Sequence, residues 1–262
     1  LLGWPWDAVD RNARTLADDL VALHPGGGSY LEPGVHRVGD HPVSLGHGAR
    51  VGPGVIVDTR VGPVRLDDDA IAEGPARLTG PLHLGAGSHL FGGHLARVSA
   101  GPRCKLRGEV ADTILIGYAN KAHDGYLGHA LVGRWVNLGA FTTNSDLKND
   151  YGDVRVQLPT GVVDTGLMKV GVLLGDHVKT GIGTLLTTGA LVGAGCNLFG
   201  GGMALRVVAP FSWAGTHEVV PYRWEKFLQV ARTVVARRDQ PWTPGVEAVL
   251  RRLWDATHGA RP

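Results

Sequence analysis

The residues best able to do chemistry gather between positions 117 and 152, in GYANKAHDGYLGHALVGRWVNLGAFTTNSDLKNDYG. His123 is the foremost of them: an imidazole, with an ordinary pKa near ~6.5, is neutral enough at pH 7 to take a proton from an attacking group. Asp124 is adjacent and could orient the ring, although neighbouring side chains often diverge. Lys121, Lys148 and Arg134 are cations of the kind that neutralise a phosphate dianion in a cleft. On a surface the same residues are merely solvated, and Asn144 and Asp146 are equally at home as turn formers. Six histidines, His83, His89, His94, His123, His129 and His177, could instead supply a zinc site. Cys104 and Cys196 lie far apart with no C-x-x-C, which encodes no cysteine-based zinc motif or disulfide framework and fits a reducing cytoplasm. The glycine runs at 26–28 and 200–202 lack the Lys-Ser/Thr that follows a phosphate-cradling loop.

Composition narrows what can position these groups. The 262 residues include 40 glycines and 15 prolines, about twice the usual share, so long helices cannot fill most of the chain. Apolar residues make up 44%, enough to bury a core and too many for a disordered chain. Charge is balanced, 26 basic against 24 acidic residues, and dispersed apart from pairs such as Arg237-Arg238 and Arg251-Arg252, so no nucleic-acid partner is expected. No apolar run approaches the roughly 18 residues of a membrane span, and the expected setting is cytoplasmic. The chain opens on Leu1 rather than Met, which points to a processed protein or a piece of a longer one.

The middle of the chain repeats with a period of six. Val132, Leu138, Leu174, Thr180, Leu186, Val192 and Leu198 keep one phase, and Val136, Thr142, Val178, Thr184, Ala190 and Cys196 follow as a second, small or β-branched series. An earlier block runs through Leu45, Val51 and Val57, with Ala49, Val55 and Val61 as its second series; Leu66, Ala72, Leu78, Leu84 and Leu90 continue in a shifted phase. Apolar residues at each face start, with glycine at the corners, predict a parallel β-helix of hexapeptide coils over residues 29–220. Residues 143–170 break the hexads and predict an outward loop, a place to look for binding. An amphipathic helix is predicted over 5–24, behind Asp7 as N-cap and closed by Pro25 and Gly26 to Gly28. Residues 221–262 predict two C-terminal helices, the second with Pro244 in its first position. Their stripes, Trp224, Phe227, Leu228 and Val235, then Val246, Val249, Leu250 and Leu253, should pack on the last coil near Leu198 and Phe199.

The 117–152 segment resembles the acetyltransferase half of the bifunctional bacterial enzymes that make UDP-N-acetylglucosamine, with their Lys-Ala-Gly-His-x-x-Tyr-Leu-Gly, Val-Asn-Ile-Gly-Ala-Gly and Asn-Tyr-Asp-Gly runs. It is more similar still to GlmU-like sugar nucleotidyltransferase/acetyltransferases carrying Lys-Ala-His-Asp-Gly-Tyr-Leu-Gly and Asn-Ser-Asp-Leu-Lys-Asn. The likeness extends over roughly 100–215 through GDHVKTGIGT and APFSW. Phe141 departs from it where the family has Gly, and one residue is missing between Ala122 and His123.

The resemblance implies a left-handed all-β solenoid, since the known hexapeptide solenoids are left-handed. It also implies a homotrimer, acetyl-CoA as co-substrate without a metal, and an amino-sugar phosphate acceptor, glucosamine 1-phosphate above others. His123 becomes the general base. Lys121, Tyr126, Asn137, Asn144, Asp146 and Lys148 fall to the acceptor, and Ala140, Thr180, Gly181 and Gly200 to acetyl-CoA. Residues 1–28 then read as the connection following a nucleotidyltransferase domain that the sequence lacks, which leaves open a non-catalytic, trimerising or regulatory β-helix. A γ-type carbonic anhydrase, also a hexapeptide trimer, is the further alternative, but the residues flanking the histidines do not resemble it.

Overall fold

A computed structural model describes residues 2–23, 31–215 and 218–258; the predicted stop at Pro25 to Gly28 lies outside them. The body is a parallel β-helix whose coils each lay down three short strands, giving three faces. The first face carries Asn120–Lys121, Asn137–Leu138, Lys179–Thr180 and Asn197–Leu198; the second carries Tyr126–Gly128, Thr143–Asn144 and Thr184–Leu186; the third carries Leu131–Val132, Leu173–Leu174 and Leu191–Val192. First and second faces merge into one sheet in the earlier coils, where His89–Ala96 and Lys105–Ala111 run through the corner between them, and part into separate sheets from Thr143–Asn144 onward.

The hexad phases are the inward columns. Val132, Leu138, Leu174, Thr180, Leu186, Val192 and Leu198 are all buried, as are Leu66, Ala72, Leu78, Leu84 and Leu90. One register step holds the three-hexad coil, Leu174 pairing with Val192. Other coils differ in length: Ser99 pairs with Ile114 and Ile114 with Leu131, which shifts the phase between blocks. Val61, placed inward by its spacing, is 63% exposed because it falls in the longer turn before Val64–Leu66.

Corners between the third and first faces recur at left-handed backbone angles, at Arg103, Tyr118, Trp135, His177 and Phe211. Equivalent positions lie one coil apart, about 4.8 Å, so their rings pile up. Tyr118 stacks on Trp135 at 4.2 Å and Trp135 on His177 at 6.3 Å. Gly195 takes the next corner at φ +71°, and a Cβ there would meet the rings of Phe211 and Phe227. The missing side chain admits Phe227, edge-on to His177 at 5.7 Å and to Phe211 at 4.9 Å.

Three helices clothe the coil. Helix α1, Pro5–Leu23, has Pro5 in its first position and lies on the third face, with Trp6 packed among Val154, Val156, Val170 and Leu173. Asp7 is not the N-cap; it sits inside the first turn and reaches back to accept the Gly3 and Trp4 amides. Asn12 ties α1 down by donating to the Arg97 carbonyl and accepting from Ser99 Oγ. Helix α2, Trp224–Ala236, packs on the last coil through Trp224 and Phe227 at Phe211, rather than at Leu198 and Phe199, and runs back along the third–first corner, so that Arg238 and Arg103 exchange guanidinium-to-carbonyl bonds and Tyr118 Oη donates to Gln240. Helix α3, Pro244–His258, is locked to α2 by Glu247, which accepts from Arg232 and Trp242. Of its predicted stripe only Leu250 is buried; Val249 is 65% exposed and Val246 and Leu253 are also open.

The inserted segment leaves the coil after Thr143–Asn144 and forms an antiparallel hairpin, Arg155–Leu158 with Gly161–Asp164. It is not a free loop, since Val154 and Val156 are fully buried against Leu131, Leu173 and Leu191 of the third face. Phe227→Ala should weaken helix docking by about 3–5 kcal/mol, the usual result of emptying a buried aromatic site. Hydrogen exchange should then accelerate across 224–236 while the coil amides stay protected; equal acceleration in both would contradict a locally docked helix.

Candidate active site

His123 stands in residues 122–125, the corner between the first and second faces. Its side chain is exposed and engages no partner among the described residues. Asp124 does not orient it, because Asp124 Oδ1 accepts instead from Arg107 Nε at 3.2 Å. The corner loop is held from beneath by Lys121, whose Nζ donates to the Arg107 carbonyl at 2.8 Å and the His123 carbonyl at 2.5 Å.

Lys121, expected at the acceptor phosphate, faces the coil interior with its Nζ on these two carbonyls. Its pairing with Leu106 puts it in the inward column that Leu138 fills one coil later, and it is 2% exposed. Burial pushes its ammonium down to about 8, against the pull of Asp124. Inward residues follow at Leu127, Val132 and Leu138, and the step from Leu127 to Val132 is one residue short of a hexad, which moves the phase back onto Lys121.

Two residues beyond the inward position, His123, Ala140, Ile182 and Gly200 occur in register in successive coils. The expected base and three of the expected acetyl-CoA residues, Ala140, Gly181 and Gly200, thus lie along one corner. Thr180 does not join them: it points inward, where its Oγ1 accepts from the Gly139 amide at 3.0 Å and bonds Thr142 Oγ1 at 2.7 Å. Phe141 and Ile182 project from the same corner, 64% and 72% exposed.

Of the acceptor residues, Asn137, Asn144 and Lys148 are not brought together. Asn144 is buried and replaces a missing stretch of backbone ladder: its Oδ1 accepts from the Gly128 amide and its Nδ2 donates to the Gly128 carbonyl. Asn137 faces outward on the first face, bonded by Asn120. Lys148 lies in a cleft of about 790 Å³ between the inserted segment and residues 186–188, paired to Asp150 at 3.1 Å.

Tyr126 and Asp146 meet, and the residue that joins them was read only as a zinc candidate. Asp146 Oδ2 accepts from Tyr126 Oη at 2.6 Å and His129 Nδ1 at 2.7 Å. Behind His129 lies Asp112, which Arg97 grips with two bonds of 2.5 and 2.6 Å. Arg97, Asp112 and His129 are left-handed corner residues of consecutive coils, so the coil period would have found this column. Burial pushes the Asp146 carboxyl up, but the hydrogen bonds from His129 and Tyr126 outweigh it and the net shift is downward. An ionised Asp146 makes His129 the donor at Nδ1. Burial, then the bond to Asp146, drives the Tyr126 phenol upward, so its oxygen stays protonated.

The six histidines occupy three faces and three corners, no two on the same one: His89, His94 and His83 on the first, second and third faces, and His123, His129 and His177 at successive corners. His83, His89 and His129 are bonded to carboxylates, and among the described residues no three potential ligands converge.

Because the Asp146 carboxyl is lowered in the folded state, its stabilisation is complete above the unfolded value of 3.8 and fades as pH falls through the folded value. Urea midpoints of wild type and Asp146→Asn, measured from pH 6 to pH 2.5, should converge below about pH 4. A gap that stays constant would mean that Asp146 gains nothing from ionisation.

No family model matches the chain. A bifunctional sugar-1-phosphate nucleotidylyltransferase/acetyltransferase of Sulfurisphaera tokodaii is 29% identical over 100 residues, 38% of this chain and 25% of that protein. The bifunctional protein GlmU of Methanocaldococcus jannaschii is 33% identical over 88 residues, 34% of this chain and 21% of its own length. That of Trichormus variabilis is 29% identical over 186 residues, 68% of this chain and 38% of its own length. The chain thus spans well under half of each. A solved structure, Arabidopsis UDP-N-acetylglucosamine acyltransferase, covers 91% of this chain and 98% of its own at 11% identity, but a TM-score of 0.27 bears no weight. Over part of its length this chain is thus similar in sequence to bifunctional GlmU-type nucleotidyltransferase/acetyltransferases.

Proposed function

We propose that the chain is an acyltransferase that moves the acetyl group of acetyl-CoA to the amine of an amino-sugar phosphate, with glucosamine 1-phosphate the favoured acceptor. The observation that carries this reading is His123: an unengaged imidazole on a loop pinned from below, in line with Ala140 and Gly200, within the 117–152 segment whose motifs resemble the acetyltransferase family.

In this reading neutral His123 takes a proton as the acceptor nitrogen attacks the thioester carbonyl. The C–N bond forms, the C–S bond breaks, and the imidazolium returns its proton to the departing thiolate, giving coenzyme A. The Tyr126 phenol is the neutral group left to hold the sugar. Asp146 and His129 act on Tyr126 by fixing its hydroxyl. Phe141 and Ile182 would be costly to leave in water beside a catalytic corner, which supports a homotrimer in which a second copy covers them and completes the site.

A second reading is favoured by one specific observation. Lys121, Asn144 and Thr180 are spent on internal bonds, as a non-catalytic trimerising or regulatory β-helix would allow.

His123→Ala should lower turnover by about 10² to 10⁴, the ordinary contribution of a positioned base, and leave acetyl-CoA affinity nearly unchanged. Unchanged turnover on an acceptor that wild type uses well would favour the second reading. Sedimentation should give a trimer mass; a monomer would leave Phe141 and Ile182 unexplained and remove the shared site.

A further inference from the structure

Between α2 and the first face lies a pocket of about 420 Å³. Four of its lining residues are cations: Lys105 and Lys179 project from the coil, and Arg237 and Arg238 follow the last turn of α2. No carboxylate lines it. The contacts these cations make among the described residues are to backbone carbonyls, Lys179 to His177 and Arg238 to Arg103. Burial pushes the Lys179 ammonium down to about 8 and the Arg238 guanidinium below its usual range, so both are held where solvent compensates them poorly.

Between the lysines, in register, sit Asn120 and Asn137. Asn120 Nδ2 donates to Asn137 Oδ1 at 2.6 Å, which leaves the Asn137 amide free to donate into the pocket. Lys105, Asn120, Asn137 and Lys179 thus form a polar rail climbing one coil at a time, about 14 Å from end to end. The negative end of the α2 dipole accounts for roughly half a charge and cannot balance four. A lone phosphate is commonly met by two cations; this rail is longer and more highly charged.

We propose that this pocket binds a diphosphate group, gripped by Lys105, Lys179, Arg237 and Arg238 with the Asn137 amide as a neutral donor. The site is on the third–first side of the first face, away from the His123 corner, and does not depend on acyl transfer. A diphosphate reaches a protein as part of coenzyme A or as a nucleoside diphosphate, and the chemistry of the grip is common to both.

Isothermal titration of the full chain with inorganic pyrophosphate, inorganic phosphate, UDP and coenzyme A tests this. Pyrophosphate should bind more tightly than phosphate, weaken with salt, and lose at least tenfold in affinity in the Lys105→Gln/Arg237→Gln double variant. Tighter coenzyme A than UDP assigns the site to the coenzyme arm; the reverse assigns it to a nucleotide. Should the double variant not fold, the Lys179 side-chain resonances of wild type provide the second readout, and pyrophosphate should shift them while leaving Lys148 unmoved. Pyrophosphate that binds no better than phosphate, ignores the double variant, or leaves Lys179 unshifted overturns the proposal. His123→Ala should leave pyrophosphate affinity intact, so failure of the catalytic reading and failure of this one are told apart.

Discussion

Everything in this molecule hangs on the hydrogen-bonded ladder between coils, which places each residue about 4.8 Å from its counterpart one coil away. Side chains are therefore sorted into columns, and a column is as good as its worst member. Inward columns must be apolar or must satisfy themselves internally, which is why Lys121, Asn144 and Thr180 spend their polar atoms on carbonyls, amides and the Thr142 hydroxyl. Outward columns are free to accumulate chemistry. The rail from Lys105 to Lys179 and the chain Arg97, Asp112 and His129 ending on Asp146 are both products of that sorting.

The corners oppose this economy. Arg103, Tyr118, Trp135, His177 and Phe211 sit in the left-handed region, where a residue with a Cβ loses about 1–2 kcal/mol. Stacking offsets it, since aromatic pairs contribute about 0.5–1.5 kcal/mol beyond the area they bury, and Tyr118, Trp135 and His177 form two such pairs before α2 adds Phe227. Gly195 is the counterpart: with no ring of its own at that corner, it opens the slot by which the C-terminal helices attach.

Much of this was legible in the sequence because a solenoid converts spacing into position. The hexad phases named the inward columns almost without error, and the helix spans followed from amphipathic spacing and Pro244. What was lost traces to coil length. A coil one residue short carried Lys121 inward, and nothing local to NKAHD announces that. His129 lies one coil from both Asp112 and Asp146, a relation visible only when pairs are sought at the coil period rather than along the chain. The inserted segment read as polar and free because Thr143 to Asp153 is polar; the apolar half, Val154 onward, is what seals the third face.

That sealing decides where function can be. Helix α1 and the hairpin occupy the third face, and α2 with α3 occupies the third–first corner, so two directions of approach are closed. Among the directions that remain are the first–second corner and the second face, where His123, Phe141, Ile182, Leu185 and Met203 are exposed. Among the described residues nothing covers that ridge, and in the proposed reaction His123 alone would shelter a substrate poorly from water. The same argument that packs a column of leucines inside the coil therefore asks for something outside it. In the acyltransferase proposed above, a second copy covering Phe141 and Ile182 would come within reach of His123, so assembly and chemistry would meet on that side of the coil.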